Sequence, residues 1–203
     1  MMLTEPTLSS PPQVFTDTEL VRLSRTGDRS AMEELANRHR QSAFLLALQL
    51  LGNREDALDV AQDAMLRFFS TLDRFDCHRP VKPWLFQIVR NRVHDLRRRR
   101  RVRPHQSIDE EREDGYSIEL VDDDMDPERD ASTAQLRVKV WQSLSKLSPT
   151  LREILVLRDY HDLSYAEIAT LLDIPIGTVM SRLHGARKKL RQFVQDDLRS
   201  LMR

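Results

Sequence analysis

The chain is poor in the residues that staple or catalyse. It has one cysteine in 203 residues, so no disulfide can close within it and a cysteine-built zinc cluster is not expected. That usage fits a reducing compartment, and a cytoplasmic location is expected. Glycine is scarce, with 5, and aromatics make up only 6%, a composition that favours helices over sheets. No apolar run approaches the roughly 20 residues needed to span a bilayer. The longest, AFLLALQLL, is short and interrupted by Gln49, so no direct membrane insertion is expected. The opening MMLTEPTLSSPPQVFTD has no basic cluster followed by an apolar core, and so is not read as a secretory signal. Neither an HExxH motif nor a glycine-rich phosphate loop is present. Cys77 and His78 are adjacent, which is poor metal geometry, and His39, His94 and His161 read as surface residues rather than a catalytic set. An enzyme is therefore not expected, and no catalytic residue, metal site or cofactor is assigned.

Net charge is also missing, but only on average. Lys+Arg is 32 and Asp+Glu is 32. Arg90, Arg92, Arg97, Arg98, Arg99, Arg100, Arg101 and Arg103 stand against Asp95, whereas the stretch from Asp109 to Asp130 has twelve acids against Arg112 and Arg129. The chain turns basic again at Arg182, Arg187, Lys188, Lys189 and Arg191. Alternating blocks of charge suggest that different segments meet different partners.

Helical spacing organises what lies between. Residues 1–14 are rich in Pro, Ser and Thr and read as a disordered tail. Residues 15–103 hold four helical patterns. The first places Leu20 and Leu23 inward and stops at Gly27. The second starts at a capping box of Ser30 and Glu33 and ends at Gly52. The third carries Leu58, Ala61, Met65, Phe68 or Phe69, and Leu72 at helical spacing, with Asp56, Asp59, Gln62 and Asp63 on a polar face. The fourth opens near Pro83 and buries Leu85, Ile88, Val89, Val93 and Leu96. Residues 104–131 read as a flexible acidic linker. Residues 132–203 form a second helical unit, with Ser148 and Pro149 opening one helix and a Ser164–Glu167 capping box opening another. The fold class is all-α, with two small helical domains.

Two segments carry the features of nucleic-acid contact. In the second unit, the short helix from Ser164 to Leu172, the turn Asp173–Pro175 and the stripe Val179, Leu183, Ala186, Leu190 make a helix-turn-helix pattern. Its outward set is Thr178, Ser181, Arg182, Gly185 and Lys188 or Lys189. The plainer reading is a helical pair with a solvated basic face. In the first unit, Phe75, Arg79, Lys82, Trp84, Phe86, Arg90 and Arg92 interleave aromatics with bases, a pattern suited to unpaired bases. Against this, Trp84 also reads as a core wedge, the arginine run as a solvated helix end, and the Asp56–Asp63 face as ordinary surface.

The segments LSRTGDRSAMEELANRH, EDALDVAQDAMLRFF, KPWLFQIVRNRVHDLRRR and LSPTLREILVLRDYHDLSYAEIATLLDIPIGTVMSRLHGARKKL, taken in that order, resemble the extracytoplasmic-function (ECF) class of sigma factors, in the sigma-70 family of bacterial RNA polymerase. The resemblance implies a protein that docks on the polymerase core and directs it to promoters. It implies that Asp56, Asp59, Gln62 and Asp63 meet the coiled coil of the largest subunit, and that the flap of the second-largest subunit docks on the C-terminal unit. It places His78, Arg79, Lys82, Trp84, Asn91, Arg97 and Arg98 at the melted minus-ten strand, Asn91 as a base reader. It places the helix-turn-helix at the minus-thirty-five element. Met180 stands where relatives usually carry Lys or Arg, and Gly185 where many carry Arg. Base readout is therefore expected to shift toward Thr178, Ser181, Arg182 and His184, with Arg187, Lys188 and Lys189 on phosphates. An anti-sigma factor is a further implied partner. The acidic linker would thread the positive polymerase channels, so that neutralising Asp122, Asp123 and Asp124 weakens core binding or alters promoter escape. A stand-alone helix-turn-helix regulator explains the second unit but leaves the third and fourth helices without a role.

Overall fold

The computed structural model describes residues 15–102 and 139–201. The expected tail, the linker with its aspartates, and the start of the helix over TAQLRVKVWQSLSKL lie outside the described residues. The described part contains helices and no strand.

The helices start and stop where the local chemistry requires. Helix α1 (Asp17–Arg25) opens on a reciprocal cap: Glu19 N–H donates to Thr16 Oγ1, and Thr16 N–H donates to Glu19 at 2.7 Å. Helix α2 (Arg29–Leu51) is capped by Asp28, whose carboxylate accepts from Ala31 N–H at 3.1 Å. The expected Ser30–Glu33 box is not the cap. Gly27, at φ 87°, turns the chain so that Asp28 already lies over the free amides, and Ser30 falls inside the helix. Gly52, at φ 76°, ends α2 as expected. Helix α3 (Arg54–Ser70) is capped by Asn53. A short 3₁₀ turn (Leu72–Arg74) and a loop lead to α4 (Val81–Val102).

The second unit begins with α5, described over residues 139–145. Helix α6 (Pro149–Leu155) has proline in its first turn and widens into a π-helical turn over Val156–Tyr160. Ser148 does occupy the cap position of α6, but its hydroxyl makes no capping bond. Helix α7 (Tyr165–Leu172) opens on the expected Ser164–Glu167 box, and Asp173 turns the chain at φ 54°. Helix α8 (Ile176–Leu201) carries Val179, Leu183 and Ala186 fully inward.

The α3 stripe differs from expectation. Its buried residues are Ala57, Val60, Ala61, Ala64 and Phe68, while Leu58 is 47% exposed. Small alanines let α3 lie close on α2 and α4, which rotates Leu58 out. Under α4, Phe86 joins Leu85, Val89 and Val93 in full burial, so it is not a free stacking platform, and Phe75 is likewise buried. One apolar core runs on from Val89 and Val93 to Leu144, Ile154 and Leu157. The two helical units therefore share an interface.

Candidate nucleic-acid interface and docking faces

Helix α3 presents a mixed face. Asp59, Gln62 and Asp63 are exposed, and beside them Leu58 and Leu66 are 47% and 65% exposed. Positions 58, 62 and 66 are one turn apart, so the two leucines bracket Gln62. The fourth expected residue, Asp56, is tied to Arg100, whose guanidinium donates to both carboxylate oxygens at 2.6 Å. Spacing puts Leu58 in the expected inward stripe, which hides its exposure, and Leu66 belongs to neither that stripe nor the expected polar face.

The loop before α4 is held from behind. Arg25 of α1 donates to the Leu72 carbonyl at 2.7 and 2.9 Å, to the Phe75 carbonyl, and to Cys77 Sγ at 3.4 Å. That grip fixes the segment carrying His78 and Arg79, which are both exposed. Trp84 is the core wedge, one of its two readings, and it keeps part of its ring free. It packs on Phe68 and Phe75, with centroids 5.1 and 4.6 Å away, yet stays only partly buried. Its free surface borders a cavity of about 310 Å³ with Arg74, Arg79 and Gln87. Trp84, Gln87 and Asn91 follow at helical spacing, and Asn91 is exposed.

Much of this basic helix is already engaged by the second unit. Glu167 and Thr170 of α7 form the far wall of that cavity. Lys82 Nζ donates to the His161 carbonyl at 2.8 Å. Arg90 Nε donates to Glu153 at 2.8 Å, with His94 3.7 Å from the same oxygen. Burial pushes the Glu153 carboxyl up, but His94 and Arg90 outweigh it and hold the group below the usual range. Arg97 donates to the Leu50 carbonyl at the end of α2, at 2.6 Å, and Arg98 pairs with Asp95. Of the seven residues expected at the minus-ten strand, then, His78, Arg79, Asn91 and Arg98 are exposed, while Lys82, Trp84 and Arg97 are partly buried.

At the centre of this seam is a group read from the sequence as surface. His161 is only 5% exposed. Its Nε2 lies 2.7 Å from Gln49 Oε1, and its ring meets Phe86 edge to face. Burial, reinforced by the Lys82 charge, lowers its pKa to about 4, so the ring is neutral and Nε2–H is the donor to Gln49. His39 is also buried, against Asp17 at 2.6 Å; of the three histidines expected at the surface, His94 alone is exposed. Gln49 was visible in the sequence as the one polar residue in an apolar run, and such a residue, once buried, needs a partner. The partner lies 112 positions away, beyond the reach of any local pattern.

The helix-turn-helix presents its free face differently from the expected set. Ile176, Gly177, Met180, Ser181, His184 and Lys188 are exposed along α8. Thr178 and Arg182 lie on one flank, half-buried. Arg187 and Lys189 are exposed, and Arg187 pairs with Asp159. An exposed pair of that kind contributes about 0–1 kcal/mol, which a phosphate can outcompete. Open space surrounds Gly177 and Gly185 where a side chain would begin, so the backbone is accessible there.

Comparison with known proteins gives the family of both units. Residues 35–103 match the family described as Sigma-70 region 2, and residues 137–190 match Sigma-70, region 4. The chain is similar to the ECF RNA polymerase sigma factor SigW of Bacillus subtilis, 31% identical over 87% of this chain and 95% of that protein. It is 34% identical to the RNA polymerase sigma factor NccH of Alcaligenes xylosoxydans over 88% of this chain and 95% of NccH. Among solved structures it resembles CnrH, determined in complex with the cytosolic domain of CnrY. The TM-score is 0.65 at 27% identity, covering 89% of this chain and 98% of CnrH.

Proposed function

Because the chain belongs to the ECF class of the sigma-70 family, we propose that it grips promoter DNA at two points, the minus-ten element with α4 and its preceding loop, and the minus-thirty-five element with α8. Its function as a sigma factor is to direct promoter-specific transcription initiation by RNA polymerase. The domain limits we assign are 15–103 for the downstream reader and 132–203 for the upstream reader. The mixed face of α3, with Asp59, Gln62, Asp63 and the two exposed leucines, is assigned to the polymerase coiled coil. The protein acts in the cytoplasm, without catalysis of its own. Among the described residues no helix is long and apolar enough to cross a membrane.

The observation that carries the two-point reading is the match of residues 35–103 to region 2 and of residues 137–190 to region 4, and the seam between these units sets a condition on it. The two promoter elements lie about 25 base pairs apart, roughly 85 Å along B-form DNA. A compact chain of this length has a radius of gyration of only about 17 Å. The closed arrangement cannot span both elements, so promoter engagement requires the units to part and Lys82, Trp84 and Arg90 to be released. The closed form is then a resting state, and a partner that holds it closed would silence the protein. An anti-sigma factor is the partner we assign to that role, a reading supported by the similarity to CnrH, which was solved bound to another protein.

In vitro transcription with core polymerase and a pool of promoter fragments tests the proposal. Transcripts should start downstream of fragments sharing two short motifs, and duplex binding by the isolated chain should be far weaker than by the holoenzyme. Tight, specific duplex binding without core would instead identify a stand-alone regulator.

A further inference from the structure

Two large apolar side chains on α8 are left in solvent. Ile176 is 47% exposed and Met180 52%. Both lie at the start of the helix, along the exposed strip that includes Ser181, His184 and Lys188. Further along α8, Lys188, Lys189 and Arg191 supply positive charge suited to phosphates. Gly177 beside them bears no side chain, and nothing lies within 4 Å of where one would start. The backbone at this end of the helix can thus approach a duplex closely, and Ile176 and Met180 are carried in with it.

Neither side chain can read a donor–acceptor pattern. A sec-butyl group has no polar atom, and a thioether is at best a weak acceptor. Pressed against a guanine or adenine edge, they would strip water from polar atoms without replacing its hydrogen bonds. The major groove offers them one apolar feature, the C5-methyl group of thymine. Ile176 and Met180 are four residues apart, about 6 Å along the helix, close to two base-pair steps.

We propose that Ile176 and Met180 read thymine methyl groups in the upstream promoter element, so that this element carries A·T pairs about two steps apart where α8 enters the groove. The inference rests on the assignment of α8 to the groove and specifies the chemistry read there.

The test uses holoenzyme assembled from the full chain and core polymerase. The upstream element is first selected from a randomised promoter pool. Each thymine of the selected element is then replaced by deoxyuridine, which deletes only the methyl group. At one or two positions the replacement should lower open-complex formation about fourfold, as expected for loss of one buried methyl. The Met180→Ala holoenzyme should be insensitive to deoxyuridine at one of those positions, and Met180→Lys should shift the preference there toward guanine. If the element matters but no deoxyuridine substitution has an effect, methyl reading is overturned and groove reading survives. If the upstream element can be scrambled without effect, and Ser181→Ala and Lys188→Ala are also silent, groove reading itself falls.

Discussion

The two surfaces that we assign to DNA differ in what occupies them. The basic-aromatic helix α4 is tied down along much of its length: Lys82 to the His161 carbonyl, Arg90 to Glu153, and Trp84 beside a cavity walled by α7. The outward face of α8 lies in solvent, and there Arg187 makes an exposed pair with Asp159. Both are cationic helices, and the sequence describes them in similar terms. The difference is one of energetics. The contacts on α4 include buried polar groups, which are costly to leave unpaired. The pair on α8 is exposed and worth little. On the proposed assignment, the downstream reader has to be released before it can act, whereas the upstream reader is ready.

The largest expected effect comes from Phe86→Ala. Phe86 is fully buried and meets His161 edge to face, so its loss removes core packing and seam together. A destabilisation of about 3–5 kcal/mol is expected in urea unfolding. Glu153→Ala should act on the seam more selectively. It leaves Arg90 without its partner, but Arg90 keeps 26% of its side chain in solvent, so a cost near the low end of the buried-pair range, about 3 kcal/mol, is expected. Scattering should show a larger radius of gyration for this variant. An unchanged radius would mean that Arg90–Glu153 does not hold the units together.

Acidification should open the same seam. His161 is held neutral with a pKa of about 4. Above the unperturbed histidine value both forms are neutral, and the full contribution of the contact is present. As pH falls below it, only the open form takes up a proton. The closed form should therefore lose about 2–3 kcal/mol by about pH 4.5, if His161 regains an ordinary pKa of about 6.5 on opening. Glu153, its pKa lowered, contributes in the same direction only at still lower pH, as it protonates. Distance measurements between labels on the two units, made from pH 7 to 4.5, would show this, and His161→Phe should flatten the profile.

On α8 the effects should be smaller and should leave folding untouched. Ser181→Ala should change upstream-element preference, weakening the best site about fivefold through one lost hydrogen bond. Lys188→Ala should weaken binding about threefold across sequences and reduce the salt slope by about one. If Arg182→Ala altered preference more than Ser181→Ala, the half-buried flank rather than the outer strip would be the reading face.

Local rules recovered most of the architecture. The Ser164–Glu167 cap, the stop at Gly52 and the inward stripe of α8 each follow from a few neighbouring residues, whereas the Thr16 and Asn53 caps came from the structure. Errors arose where two helices had to settle their contact between them. Leu58 fits an inward stripe by spacing, but the alanines of α3 turned it outward. For α8, spacing alone leaves the orientation of the outward set uncertain by part of a turn. The packing of α8 against α6 and α7 resolved it, leaving Met180 in solvent and Arg182 half-buried.

The sequence by itself determined that the chain is helical, that it forms two helical units, and that these bear basic faces suited to DNA. Those properties follow from periodicity, capping and charge blocks, which act over a few residues. Only the tertiary structure decided that the units close on each other, that His161 and Gln49 meet across 112 positions, and that one reading surface is covered while the other is free. Burial of a histidine, a glutamine and a carboxylate is tolerable only where each finds its partner, and those partners come from segments that the sequence does not bring together.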